Sequence, residues 1–457
     1  MAKKITTTNP VTGKKLKTYQ RLTKKQAEKK IDRAHKTFLS WRETDFAHRS
    51  NLMRKAAKVL KKNKRKYAEL MVREMGKTIT EAVGEIEKCA WVCEYYAENA
   101  ADFLADEKIK TDASKSYVTF QPLGVVLAVM PWNYPFWQVF RFAAPGLMAG
   151  NTGMLKHASN VLGCGDAIEE VFREAGFPKG AFTHLNVDAD AIADILANEK
   201  IVAATLTGSD PAGRSLAENA GKNLKKTVLE LGGSDAYLIL PDANPEEAAE
   251  ICKNGRLLNA GQSCIGAKRF LVHTKIYDKF LKAFKQKMAD AIMGDPMDKN
   301  TKYATLARED LREDLHQQVK KSVKKGAKIE LGGKIPQGKG AFYPATILSN
   351  VKLGMPAYEE ELFGPVASVI KVKSVKEAVK VANESQFGLG AAVITKDKKR
   401  GEKIAAEMLE AGCCFVNAFV KSDPRLPFGG IKTSGYGREL SHYGIKEFVN
   451  IKTVYVA

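Results

Sequence analysis

At 457 residues the chain is long enough for two or three domains around a sizeable core, and 44% hydrophobic content excludes wholesale disorder. The net charge of +21 would suit a nucleic-acid partner, but the lysines are spread along the whole sequence, and the densest run, Lys61-Lys62-Asn63-Lys64-Arg65-Lys66, has no interleaved aromatics, so the excess reads as a solvated surface. Seven cysteines without paired-ligand spacing argue for reduced thiols, not disulfides or zinc, and no apolar run is long enough for a signal peptide or a bilayer, so a cytoplasmic protein with no metal, membrane or nucleic-acid partner is expected.

The N-terminal third reads as helices. Thr23 with Gln26 makes a capping box, after which Ala27, Ile31, Ala34 and Phe38 share one face. Similar stripes follow at Leu52, Ala56, Val59 and Leu60, and at Val83, Ile86, Ala90, Cys93 and Ala97; these read as core faces with no chemistry in them. Residues 116–120 alternate as an exposed strand. Short apolar strands then alternate with amphipathic helices, at 124–129, 153–156, 183–187, 203–207 and 227–229, which predicts a parallel α/β sheet of Rossmann type. There is no Gly-x-Gly-x-x-Gly fingerprint. In its place Leu206-Thr207-Gly208-Ser209-Asp210-Pro211 ends a strand and opens a helix, offering backbone amides to a phosphate. A second α/β unit runs from about 233 to 424, with helices at 277–288 and 311–325, a turn at Gly332-Gly333, and strands at 343–348 and 367–372. The tail alternates as a strand over 445–456.

The stretches that carry chemistry are few. Gly261-Gln262-Ser263-Cys264-Ile265-Gly266 presents one thiol in a small-residue turn followed by Lys268 and Arg269, which predicts an exposed, readily ionised nucleophile. Leu229-Glu230-Leu231-Gly232-Gly233 puts a lone carboxylate among apolar neighbours that raise its pKa toward a working general base. Asn133 is held between Pro131 and Pro135 at the end of an apolar strand, a rigid placement for an oxyanion donor. Further on, Trp137 and Arg141 lie one turn apart on a helix that starts after Pro135. A buried Arg there calls for an anion, either a carboxylate on the substrate or a structural Glu.

Together with Glu359-Glu360-Glu361-Leu362-Phe363-Gly364-Pro365 and Leu426-Pro427-Phe428-Gly429-Gly430, these stretches resemble the aldehyde dehydrogenase superfamily, in its order and over almost the whole chain. The wording around Trp137–Phe142 and 421–427 is similar to the short prokaryotic NADP-dependent succinate-semialdehyde dehydrogenases. The resemblance implies an α/β fold: a Rossmann-type cofactor domain (1–106 and 123–232), a catalytic domain (233–424), and a small oligomerisation sheet with the C-terminal tail (107–122 and 425–457) in a homodimer or homotetramer.

It also implies roles. Cys264 would form a thiohemiacetal and then a thioester, Asn133 would hold the oxyanion and Glu230 would activate water. Trp132, Lys156, Gly208, Ser209, Glu361 and Phe363 would position the cofactor, and Arg141 and Ser422 the carboxylate of succinate semialdehyde. NAD-preferring members usually carry Glu where Ser159 stands here. A hydroxyl beside Lys156 removes the repulsion of a 2′-phosphate, so NADP is expected, with NAD weaker. The alternative is a broad-specificity enzyme for uncharged or hydroxy aldehydes. A coenzyme-A-acylating relative is disfavoured by Glu230, and a catalytically silent one by intact Cys264 and Asn133.

Overall fold

A computed structural model describes residues 3–457. The chain opens with an antiparallel hairpin, Lys4–Thr8 against Lys15–Gln20, where helices were expected from the start. The helices begin at Lys24–Trp41, on the Thr23/Gln26 capping box, with Ala27, Ile31, Ala34 and Phe38 buried. Helices Phe46–Lys62, Lys64–Met75 and Ile79–Phe103 follow.

The first large sheet has six strands in the order Gly435–Tyr436, Lys226–Glu230, Ile201–Thr207, Val125–Met130, Thr152–His157 and Phe182–His184. All pairings are parallel except that of Gly435–Tyr436, which runs antiparallel to Lys226–Glu230. Helices cover this sheet, which is why a strand such as Val125–Met130 reads as a continuous apolar run.

The second sheet has seven strands in the order Lys328–Leu331, Thr346–Ser349, Val366–Val372, Ala267–His273, Asp235–Ile239, Gly390–Ile394 and Cys413–Val416, parallel but for the first. The strand expected over 343–348 is shorter, beginning at Thr346. Pro344 has no N–H to give to a ladder.

A third sheet pairs Val449–Val456 and Glu107–Lys108 with the two edges of Lys115–Pro122. The tail strand starts later than expected, because Ser441–Ile445 is helical and a short turn follows. Residues 425–457 are also not all peripheral: Ile431–Lys432 pairs with Phe387–Gly388, and Gly435–Tyr436 pairs with the strand that ends in Glu230.

Candidate active site

Ligands of open parallel sheets bind outside the carboxyl ends of the strands. Four neighbouring strands of the six-stranded sheet end in candidate residues: Val125–Met130 leads into Trp132 and Asn133, Ile201–Thr207 into Gly208 and Ser209, Thr152–His157 into Ser159, and Lys226–Glu230 ends in Glu230 itself. The seven-stranded sheet contributes the amino ends of two adjacent strands. Cys264 precedes Ala267–His273, and Glu361 and Phe363 precede Val366–Val372. An ion pair of 3.1 Å between Lys268 and Glu361 ties those two ends together.

The turn before Cys264 is wound the wrong way for L-residues. Asn259, Ala260 and Gly261 have φ of 54°, 54° and 75°, and only at Gly261 is this free of cost; a Cβ there would also lie 2.2 Å from the Gly364 carbonyl oxygen. Buried polar contacts hold the turn in place. Asn259 Nδ2 donates to the carbonyls of Asn133 (2.8 Å) and Gln262 (3.1 Å), Arg256 donates to Gly261 O (2.6 Å), and Ala307 N donates to Gln262 Oε1 (2.8 Å). Lys268 Nζ donates to the carbonyls of Ser263 (2.8 Å) and Cys264 (2.7 Å), so this lysine fixes the loop backbone.

Asn133 is buried, and its Nδ2 gives one proton to Gln262 O at 3.0 Å, which orients the amide and leaves its second N–H available. The Cys264 N–H has no acceptor among the described residues. The thiol itself differs from expectation. It is half-buried, and burial pushes it up to about 12, with Arg141 and Lys268 only partly opposing this.

Glu230 is 1% exposed and neither carboxylate oxygen has a hydrogen-bond partner. Burial first, then the neighbouring Glu439, raises it well above the usual carboxylate range, while Arg141 and Arg438 pull it down. A Cβ at Gly429 would fall 2.8 Å from Glu230 Oε1, so the glycine leaves room for the carboxylate.

Arg141 has an anionic partner within the chain. It is not an unneutralised cation: its Nε lies 2.6 Å from Glu439 Oε2, though at an angle that makes no hydrogen bond, and both side chains are buried. Of the two anions expected for Arg141, a structural Glu is present beside it. Arg141 also reaches Thr207 Oγ1 (3.4 Å) and stacks on Phe428.

Cys264 stands in the wall between two cavities. One, of about 270 Å³, is lined by Trp132, Asn133, Gly208, Ser209, Glu361 and Phe363, with the rings of Trp132 and Phe363 edge-to-face at 5.7 Å. The other, of about 220 Å³, is walled by Tyr134, Trp137, Phe419 and Phe428 and carries Arg141, Ser422 and Lys88. Glu230 lines neither cavity. Lys156 and Ser159 lie outside the first one, half-buried, and Lys156 makes no ion pair among the described residues.

The aldehyde dehydrogenase family profile matches residues 1–454. The chain belongs to that family. It is 47% identical over 453 residues to a probable succinate-semialdehyde dehydrogenase [NADP(+)] of Synechocystis sp., covering 99% of this chain and all of the relative. It is 47% identical over 456 residues to succinate-semialdehyde dehydrogenase [NADP(+)] 1 of Mycobacterium tuberculosis, with the same coverage. A crystal structure of succinic semialdehyde dehydrogenase from Streptococcus pyogenes in complex with NADP+ superposes with a TM-score of 0.97 at 40% identity, over 99% of each chain.

Three groups at this aldehyde dehydrogenase site escaped the sequence reading. Glu439 carried no local signal, since Arg141 lies far away in the chain, and Asn259 joins nearby Gln262 to distant Asn133, a link that its own stretch does not show. The helix Ile79–Phe103 was read as core alone, yet Glu81, Glu85 and Lys88, at helical spacing, face the second cavity. Glu85 Oε1 accepts from the N–H groups of Phe136 and Trp137, both at 2.9 Å, capping a helix that has no capping side chain of its own. Lys77 neutralises Glu85 in a buried pair.

Proposed function

We propose that this enzyme oxidises succinate semialdehyde to succinate with NADP, through a covalent intermediate on Cys264. The observation that carries the substrate is the cavity beside Cys264, whose aromatic walls take an aliphatic chain and whose cationic and hydroxyl groups take a carboxylate. Arg141 and Ser422 are the proposed substrate-binding residues. The relatives named above for this substrate and cofactor support the reading.

The residues fit a dinucleotide. Ser209 caps helix Asp210–Lys222 but makes no side-chain bond to it, leaving first-turn amides open to a pyrophosphate. Lys156 and Ser159 stand at the end of Thr152–His157, two strands across the sheet, where an unpaired ammonium and a hydroxyl suit a ribose 2′-phosphate. Glu361 and Phe363, which line the same cavity as Gly208 and Ser209, would hold the nicotinamide end. Bound there, NADP supplies a hydride acceptor.

The rest of the chemistry falls to side chains. Cys264 must shed a proton before it attacks the carbonyl carbon, and a carboxylate poised above its usual range is a suitable acceptor. The oxyanion is received by the free N–H of Asn133 and the Cys264 N–H. Glu230 then takes a proton from water as the thioester is hydrolysed. Arg141, paired with Glu439, also draws Glu230 down toward its ionised form.

The proposed division is a cofactor domain at 1–106 and 123–232, a catalytic domain at 233–424, and oligomerisation elements in the rest. Exposed Ile451, Tyr455 and Val456 on the tail strand support a homodimer or homotetramer. No helix among the described residues is long and apolar enough to cross a membrane, and a cytoplasmic enzyme is proposed. Steady-state kinetics on succinate semialdehyde and butanal, each with NADP and NAD and with or without coenzyme A, test the function. The expected order is semialdehyde over butanal and NADP over NAD, with no need for coenzyme A. Preference for butanal makes this a general aldehyde dehydrogenase.

A further inference from the structure

The charges around the aldehyde-side cavity do not all serve the same end. Arg141 is balanced by Glu439, Lys77 by Glu85, and Asp423 by Arg425 at 2.7 Å. Glu81, at the cavity wall, is held up by burial and accepts from the Asn259 N–H at 2.7 Å. Lys421 lies exposed at the rim. Lys88 remains. It is half-buried, lines the cavity, and makes no ion pair among the described residues. Its Nζ sits 4.3 Å from the Trp137 ring centroid and donates to Ser422 Oγ at 2.9 Å.

Ser422 Oγ also accepts from Trp137 Nε1, at 3.0 Å. A hydroxyl has two acceptor positions and one proton. With both acceptor positions filled, the Ser422 proton is left to donate, and no acceptor for it appears among the described residues. Lys88 keeps further N–H donors of its own. The cavity wall therefore holds an oriented O–H beside an ammonium with no counter-ion, and a charge partly withdrawn from water in this way is stabilised when an anion meets it.

We propose that Lys88 supplies the uncompensated charge that selects an anionic aldehyde, holding the substrate carboxylate together with the Ser422 hydroxyl, while Arg141, already neutralised by Glu439, contributes hydrogen-bond donors only. The proposal rests on the semialdehyde reading above and assigns its selectivity to a residue of the helix Ile79–Phe103. It also has a pH signature. Burial, and then the like charge of Arg141, push Lys88 down to about 8, against smaller opposing effects of Cys89, Asp423 and Glu85. The selecting charge is thus present below about pH 8 and lost above it, whereas a semialdehyde carboxylate stays ionised throughout.

The test is the ratio of kcat/KM for succinate semialdehyde to that for butanal, measured from about pH 6.5 to 9.5 in wild type, Lys88→Met, Lys88→Gln and Lys88→Arg with NADP. The wild-type ratio should fall above pH 8. In Lys88→Met and Lys88→Gln it should drop at least about tenfold at pH 7 and lose its pH dependence, a tenfold change being about 1.4 kcal/mol. Lys88→Arg should keep the ratio within about threefold and hold it flat to the highest pH. A purely structural lysine would lower both rates together. An unchanged ratio in either neutral variant overturns the proposal, and should those variants not fold, a wild-type ratio flat to pH 9.5 overturns it alone. A wild-type ratio below one at pH 7 instead overturns the semialdehyde reading, and the proposal with it.

Discussion

The two cavities that meet at Cys264 are built in different ways. On the cofactor side the lining comes largely from turns at the ends of strands, Pro131 to Asn133, Thr207 to Ser209, and Leu231 with Gly232. On the aldehyde side it comes from side chains of separate elements: Lys88 on one helix, Trp137 and Arg141 on another, and Phe419 and Ser422 on a loop after Cys413–Val416. A site made of backbone turns accepts whatever presents phosphates to free amides. A site made of converging side chains chooses among small molecules by charge and shape. Damage to one side should therefore leave the other largely intact, and the following experiments break or sharpen that separation.

The largest effect is expected where the cavities share a residue. Cys264→Ala should lower turnover of every aldehyde by about 10⁴-fold or more, because the covalent route is gone, while NADP binding measured by fluorescence titration persists. Appreciable turnover in that variant would sink the mechanism. Glu230→Gln, which belongs to neither cavity lining, should slow thioester hydrolysis by about 10²–10⁴-fold and leave a pre-steady-state burst of NADPH. Loss of the burst would move Glu230 to the earlier step of thiol activation.

On the aldehyde side, Arg141→Met leaves Glu439 buried without its cation. Breaking such a pair typically costs about 3–5 kcal/mol, to be read by denaturant unfolding, and Arg141→Met with Glu439→Leu should recover most of it. No loss in the single variant would mean that water already compensates the pair. On the cofactor side, Ser159→Glu should shift the NADP-to-NAD preference by about tenfold or more toward NAD without altering the choice between aldehydes. If both preferences move, the two sides are not independent. The smallest effect concerns acidity. With the thiol pushed up to about 12, alkylation of Cys264 by iodoacetamide without cofactor should rise about tenfold per pH unit from pH 7 to 9, with no plateau. A plateau in that range would show that another group already ionises it.

Much of the architecture was legible because its signals are local. The capping box at Thr23, the apolar runs of parallel strands and the strand–turn–helix at Thr207-Gly208-Ser209 depend on residues a few positions apart. The opening hairpin was missed because its strands, rich in Thr and Lys, are largely exposed and bury no apolar face that would print a pattern. The tail strand was drawn too long for a related reason: alternation continued backward over a short helix.

By itself, then, the sequence determined the family and marked the stretches proposed to hold the nucleophile, the base, the oxyanion amide and the cofactor, since each is written in a contiguous stretch whose backbone geometry follows from its own residues. The tertiary structure alone decided the charges. Arg141 found Glu439, Lys88 found Ser422 at a separation of 334 residues, and Cys264 became a reluctant acid instead of a ready one. Ionisation depends on burial and on which opposite charge lies within a few ångströms, and neither is set until distant segments have packed.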